Sequence, residues 1–323
     1  MKYITWDIER LADLVALWNR ELEKDFPMRP ALFEQNSFDD DNICIESSLI
    51  AVNERDEVVG FVVAKRWQEL LGVEMNREMG WIQVLLVDDN YRNRGIGSHL
   101  LSHAENTLKS KGIKKVSLGR DPKHYFPGIP SDYENVAQWF IKKGYQKQGH
   151  GTDYDLICKY DQDDKKSAKI PSIEGVQFSI MEKNDKADLL AFLHRSFPGR
   201  WEYESTYYFT HEVDGREFVV LKKNNKIIGF CRINDAQSPI IAQNVYWAPL
   251  FDDELGGIGP LGIDANERKQ GYGLAIVEAG IAFLRKRGIK RIVIDWTGLV
   301  DFYSKLGYEI WKSYDNYGKK LVE

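Results

Sequence analysis

The chain has 323 residues, 43% of them hydrophobic and 29% charged, which is too much for one comfortable core and suits two domains of about 150 residues each. This hydrophobic share excludes extensive disorder, and a formal net charge of -5 argues against a general grip on nucleic-acid phosphates. Residues 1–26 show no basic leader or cleavage site, and no later run reaches the roughly 20 apolar residues of a membrane span, so a cytoplasmic protein with no membrane or nucleic-acid partner is expected.

From the N-terminus, ERLADLVALWNREL spaces its apolar residues as an amphipathic helix. SLIAVNERDEVVGFVVAKR then alternates as two strands turning at NERDE. A buried strand, WIQVLLVDD, runs into a glycine-containing loop, and SHLLSHAENTLKSKG, KKVSL and QWFIKKGY add a helix, a strand and a helix before the last strands. The same order returns in DKADLLAFLHRSF, EFVVLKKNNKIIGFCRI, GPLGIDA, LAIVEAGIAFLRKRG, RIVI and DFYSKLGY. The spacing between copies is constant: 176 residues separate Arg92 from Arg268 and Gly112 from Gly288. It drops to 163 between Tyr145 and Tyr308, so the first copy carries about 13 extra residues, placed in GRDPKHYFPGIPSDYE. The polar stretch DQDDKKSAKIPS reads as a linker. The expectation is two mixed α/β domains, residues 1–160 and 172–323, joined by 161–171.

Each copy places a strand, a glycine loop and a helix start in succession, as Arg92-Asn93-Arg94-Gly95-Ile96-Gly97-Ser98 and Arg268-Lys269-Gln270-Gly271-Tyr272-Gly273-Leu274. Glycines let the backbone turn sharply against a ligand, and the first N–H groups of the helix face the loop, an arrangement suited to a pyrophosphate. A dinucleotide-binding Gly-x-Gly-x-x-Gly near a chain start, with an acidic residue after the next strand, and a P-loop Gly-Lys-Ser/Thr are both missing.

Arg-x-x-Gly-x-Gly after a hydrophobic strand, followed later by FYSKLGY, resembles the GNAT family of N-acetyltransferases, and both motifs recur in order in the two copies. The resemblance implies two GNAT-like domains, each a twisted mixed sheet flanked by helices, with acetyl-CoA as co-substrate. It implies that Leu86 and Val87, or Gly262 and Ile263, bond the pantetheine arm, and that the amides of 92–98 or 268–274 hold the pyrophosphate. Arg94 and Lys269 are candidates for added charge. It further implies that Tyr303 returns a proton to the departing thiolate; the first copy has Phe140 there, so the C-terminal site is favoured. As general base Glu254 is the candidate, with Asp252 and Asp253 as equals and Glu78 at the matching position of the first copy.

Other features carry less chemistry. His99 and His103 lie four apart with no third ligand, so no metal is expected. Cys44, Cys158 and Cys231 sit in apolar runs and read as buried reduced thiols. His124 in the insertion, and Arg200 with Trp201 in FPGRW, are candidates to face the acceptor. The leading expectation is an N-acetyltransferase acting on a small-molecule amine such as an amino sugar or amino-acid derivative. The alternative is a non-catalytic acyl-CoA-binding regulator. The two copies are expected to pack as a pseudo-dimer within a monomeric chain.

Overall fold

The apolar stripe at residues 11–22 folds as a helix that buries Leu14, Val15, Leu17 and Trp18, and the alternating runs fold as strands. The computed structural model describes every residue except 162, 165, 212 and 323 and the side chain of 150, so two positions of the expected linker lie outside the described residues. In chain order the elements are β1 (Lys2–Thr5), α1 (Leu11–Leu22), α2 (Pro30–Ser37), β2 (Leu49–Val52), β3 (Val58–Arg66), β4 (Met79–Val87), α3 (Ile96–Ser110), β5 (Lys115–Leu118), β6 (Ile129–Pro130), α4 (Glu134–Lys142) and β7 (Gln146–Lys159). The second copy supplies β8 (Gln177–Ile180), α5 (Lys186–Ser196), α6 (Arg200–Tyr208), β9 (Phe218–Lys223), β10 (Lys226–Asn234), β11 (Leu255–Ile263), α7 (Tyr272–Lys286), β12 (Arg291–Thr297), α8 (Val300–Tyr303) and β13 (Glu309–Lys320). No described helix is long and apolar enough to cross a membrane.

Local chemistry explains the turns. Asn224 and Asn225, at φ 49° and 61°, make the two-residue link between β9 and β10, where left-handed residues match the strand twist. At Asp56 (φ 62°) the β2–β3 connection uses one such residue.

Two compact units form, and they cut across the chain-order ranges expected from sequence. Unit 1 holds residues 1–69, 76–153 and 313–323; unit 2 holds 70–75 and 154–312. In unit 1, β1 to β5 are followed by the end of β13, with Gly318 opposite Ser117. In unit 2, β8 to β12 are followed by the end of β7, with Arg291 opposite Lys159. Each sheet therefore takes its last strand from the other copy's sequence. Alternation shows which face a strand buries but is blind to which sheet it joins. Neighbours pair antiparallel, apart from the parallel pairs β4–β5 and β11–β12.

Helices α3 and α7 each cover one face of their sheet. Leu100, Leu101, Ala104 and Leu108 of α3 pack on Val62, Ile82 and Val116, whereas Ile276, Ala279 and Leu284 of α7 pack on Cys231, Ile258 and Ile292. The insertion of the first copy is fastened on the opposite face of unit 1. There the fully buried Lys65 bonds Asp40 at 2.7 Å and Asp121 at 2.8 Å. Burial pulls an ammonium pKa down, but these two carboxylates outweigh it and hold Lys65 above its usual value.

Removing one partner of a buried ion pair leaves an uncompensated charge and costs about 3 kcal/mol. Asp121→Asn is thus expected to destabilise unit 1 by about that amount in urea unfolding, with loss of protection in the insertion; a change below about 0.5 kcal/mol would show that Asp121 does not fasten it.

Candidate active site

Both glycine loops take the geometry that their residues predict. Gly95 (φ 85°) caps α3 and Gly271 (φ 80°) caps α7, both in the left-handed region where a side chain would be strained. The first intrahelical bonds run from His99 N to Gly95 O and from Ala275 N to Gly271 O. The amides of Ile96, Gly97 and Ser98, and of Tyr272, Gly273 and Leu274, precede those bonds and are the ones a helix start offers to an anion.

The arginines that open the loops act inward. The Arg92 Nε donates to Val87 O at 3.0 Å and the Arg268 Nε to Ile263 O at 3.1 Å, so each ties its loop to the strand before it. Arg92 also pairs with Glu21, whose carboxylate clusters with those of Asp88 and Asp89. Arg94 donates to Asn90 O, while Lys269 has no side-chain partner among the described residues. In unit 1 Lys143 also donates to Ser98 Oγ at 2.7 Å; Leu274 stands at the matching place in unit 2.

The parallel strands ahead of each loop part before they reach it. Pairing of β4 with β5 ends at Ile82 and Leu118, and pairing of β11 with β12 ends at Ile258 and Ile294. Beyond these points the edges that carry Leu86 and Val87, and Gly262 and Ile263, have no parallel neighbour. An unpaired edge running into a loop of open amides offers hydrogen bonds to an extended polar arm.

At the parting, unit 2 places small and polar groups. Gly259 has φ 134°, and a Cβ there would lie 3.3 Å from the Asp295 Oδ1. Asp295 is half-buried and accepts a hydrogen bond from Asn244 Nδ2 at 3.0 Å. Asn244 in turn accepts from Asn234 Nδ2 at 3.1 Å and lies so close to β11 that a Cβ on Gly257 would sit 1.9 Å from its oxygen. Burial first, then the charge of Asp155, pushes the Asp295 carboxyl up to about 7, with Glu204 adding to the rise; Asn244 and Arg200 oppose it.

Tyr303 lies against the α7 side of this parting, 5% exposed within the core cluster of Ile258, Ile294 and Tyr308. Its hydroxyl makes no hydrogen bond among the described residues. Burial first, then Cys231 and Asp295, raises its pKa above the usual phenol value, so it stays protonated at neutral pH.

At the same positions unit 1 is filled. Gln83 stands where unit 2 has Gly259, and Gly119 where it has Asp295, each 176 residues earlier. Gln83 is 2% exposed; its amide donates to Asn36 O and Lys123 O, and its oxygen accepts from Ser37. The insertion folds over it. Gly119 is so close to Phe126 that a Cβ would lie 2.1 Å from that residue's carbonyl oxygen, and Tyr125 and Phe126 pack on Trp18. Phe140 takes the place of Tyr303, ringed by Trp139 and Tyr145 as Tyr303 is by Phe302 and Tyr308.

Other expected residues go elsewhere. Glu254 is exposed before β11 and, among the described residues, accepts only from Ala236 N; Gly259 lies five residues further on, roughly 16 Å of extended strand. Asp253 pairs with Arg291 and Lys159, and Glu78 with Lys114. His124 is buried with its Nδ1 against Asp121 O, and His103 meets Glu46 O. Trp201 packs on Phe197 and Phe230, while Arg200 lies 4.1 Å over the Trp296 ring and joins the Asp295 surroundings. Asp295, Asn244, Asn234 and Asp155 were missed from sequence. The signal for Asp295 was an acidic residue ending the apolar run RIVI.

Comparison with known proteins agrees with this geometry. The chain is 25% identical over 135 residues to an uncharacterized N-acetyltransferase of Methanocaldococcus jannaschii, covering 39% of this chain and 58% of that relative. Among solved structures, a GCN5-related glucosamine N-acetyltransferase region of a fungal multi-domain GH3 beta-N-acetylglucosaminidase superimposes with TM-score 0.85 at 24% identity, over 98% of this chain and 38% of that one. A tandem GNAT protein from the clavulanic acid biosynthesis pathway gives TM-score 0.70 at 13% identity, over 100% of this chain and 99% of that one. The pattern of the Acetyltransferase (GNAT) family matches twice, at residues 11–127 and 186–308. With two matches covering most of its length, each containing one of the glycine loops, the chain belongs to the GNAT acetyltransferase family.

Proposed function

We propose that the protein is an acyl-CoA-dependent N-acyltransferase that moves an acetyl group from acetyl-CoA to the primary amine of a small molecule, with turnover in unit 2. The observation that carries this reading is the contrast at the parted strands: Gly259 and Asp295 leave polar groups facing the gap in unit 2, whereas Gln83 and the insertion fill it in unit 1.

The residues divide the work by position. The amides of 272–274 take the pyrophosphate, and the unpaired edge of β11 from Gly259 to Ile263 aligns the pantetheine arm. The amine attacks the thioester directly, and Tyr303 gives its phenol proton to the departing thiolate. No enzyme-bound acyl group is needed, and Cys231 is not poised to carry one: burial drives its thiol pKa up, away from the thiolate form.

The acceptor side is acidic and hydroxyl-compatible, with Asp155, Asp295 and Glu204 beside Asn244. That chemistry suits a cationic amine on a polar scaffold, and the glucosamine named for the fungal structure is of this class. Unit 1, with Phe140 and a filled gap, is assigned a non-catalytic part.

Tyr303→Phe is expected to lower kcat at least 100-fold, in the range of a lost general acid, while calorimetry shows acetyl-CoA affinity within about twofold of wild type. Adding Phe140→Tyr to that variant is expected to restore nothing; recovery would place turnover in unit 1. Gly273 has ordinary φ and open space, with only Phe302 at 3.8 Å, so Gly273→Glu should fold yet set a carboxylate against the pyrophosphate. Its Kd for acetyl-CoA is expected to rise more than tenfold, and an unchanged Kd would remove the α7 loop from the site.

A further inference from the structure

Strand alternation puts a row of polar groups on one face of unit 2. Cys231 and Ile233 of β10, Ile292 and Ile294 of β12, and Leu156 of the β7 segment all pack on the α7 face. Arg232 and Asn234, Asp295 and Asp155 therefore share the other face, where Asn244 and helix α6 lie. This row crosses the sheet where β11 and β12 part. Two of its members are short of partners. The Asn234 side chain is fully buried, yet its Oδ1 accepts no hydrogen bond, although its amide is engaged with Asn244. Arg232, 5% exposed, lies over the Tyr208 ring at 5.4 Å, and its buried Nε has no hydrogen-bond partner among the described residues. Buried polar atoms left open on one face, next to carboxylates, are what a ligand with several donors and acceptors would complete.

We propose that this row is the acceptor pocket and that Asp295 is the catalytic base, taking a proton from the substrate ammonium while Asp155 and Glu204 attract that cation. The assignment rests on the N-acyltransferase reading above and names the part of it that sequence left to Glu254. Position decides among the carboxylates. Asp295 is the first residue of β12 past the last paired residue and faces Gly259, so it borders the gap where the thioester would lie. Glu254 is exposed and remote along the strand, Asp253 is held by Arg291, and Asp264 by Arg195. Glu204 is held by Arg200 at 2.5 Å, and Asp155 accepts from Trp296 N at 3.0 Å, which leaves both as charges that attract rather than as bases.

The bound ammonium gives one proton to the Asp295 carboxylate, and the freed nitrogen pair forms the C–N bond as the carbonyl pair moves to oxygen. When the carbonyl re-forms, the C–S pair leaves on sulfur, which takes the Tyr303 phenol proton. The second nitrogen proton returns to the tyrosine oxygen through solvent, and Asp295 releases its own to water. One amide, one thiol and one proton result.

The groups that act on Asp295 are Asp155 from β7, Glu204 and Arg200 from α6, and Asn244 from the turn before β11, while Asp295 in turn acts on Tyr303 from the other face of the sheet; after burial the carboxylates raise the Asp295 pKa, and Asn244 and Arg200 lower it. A base must be ionised, so kcat is expected to rise with pH through an acidic limb near that carboxyl's pKa of about 7 and then level.

The test measures kcat against pH for the whole chain with acetyl-CoA and glucosamine or another small amine from a panel, beside acetyl-CoA affinity by calorimetry. Asp295→Asn is expected to lower kcat at neutral pH at least 100-fold and erase the limb, with acetyl-CoA affinity and melting temperature retained. Asp155→Asn removes a neighbouring negative charge, so its limb is expected to move to lower pH while KM for the amine rises several-fold. A merely structural role would not move the limb. An Asp295→Asn enzyme within threefold of wild type, or an Asp155→Asn limb that stays in place, overturns the proposal even if one variant folds poorly. If wild type binds acetyl-CoA but acetylates no amine in the panel, the N-acyltransferase reading itself fails, an outcome separate from the other two.

Discussion

A parallel strand pair that separates before its end leaves backbone N–H and C=O groups without partners, and buried backbone groups must be satisfied. This constraint organises both units. β4 parts from β5 after Ile82 and Leu118, β11 from β12 after Ile258 and Ile294, and each unit answers differently. Unit 1 satisfies the gap from within. Gly119 N donates to Ile82 O at 2.8 Å, Gln83 bonds the chain on either side, and the insertion closes over both. Unit 2 has glycines and a carboxylate there instead, and no insertion folds over them.

The duplication makes the comparison unusually controlled. Lys65 and Asn234 occupy the same place, each the fifth residue after a glycine that pairs with the strand end (Gly60 with Val87, Gly229 with Ile263). In unit 1 that residue is a buried ammonium neutralised by Asp40 and by Asp121 of the insertion. In unit 2 it is an amide that reaches Asp295 through Asn244. One frame thus supports a buried ion-pair plug in one copy and a hydrogen-bonded row of amides and a carboxylate in the other. A single substitution is not expected to interconvert them, because the plug is a connected network and partly satisfied networks are costly.

Much of this was legible in the sequence. The repeat, the glycine loops and the Tyr303–Phe140 difference stand in short segments whose residue types report local backbone geometry or a single chemical group. Gly95 and Gly271 are glycines because the chain turns left-handed there. What escaped notice depends on partners far along the chain. Asn244 lies in an irregular stretch between β10 and β11 with no periodicity to place it. Asp295 is separated by 140 residues in sequence from Asp155, whose charge acts on it. Glu254 is suggested by an acidic run beside a strand; the fold puts that run at the start of β11, away from the glycine loop at its other end. The last strands alternate as strands should, but alternation carries no record of which sheet receives them.

Acceptor chemistry is assigned to the parted strands of unit 2 alone, and hydrogen exchange resolved by peptide tests this most directly. Acetyl-CoA followed by glucosamine, or by a poorly reactive amine analogue, is expected to protect residues 259–263 and 295–299 further when the amine is added, with 83–87 and 119–126 unchanged by it. Amine-dependent protection at 119–126, with none at 295–299, would contradict the account.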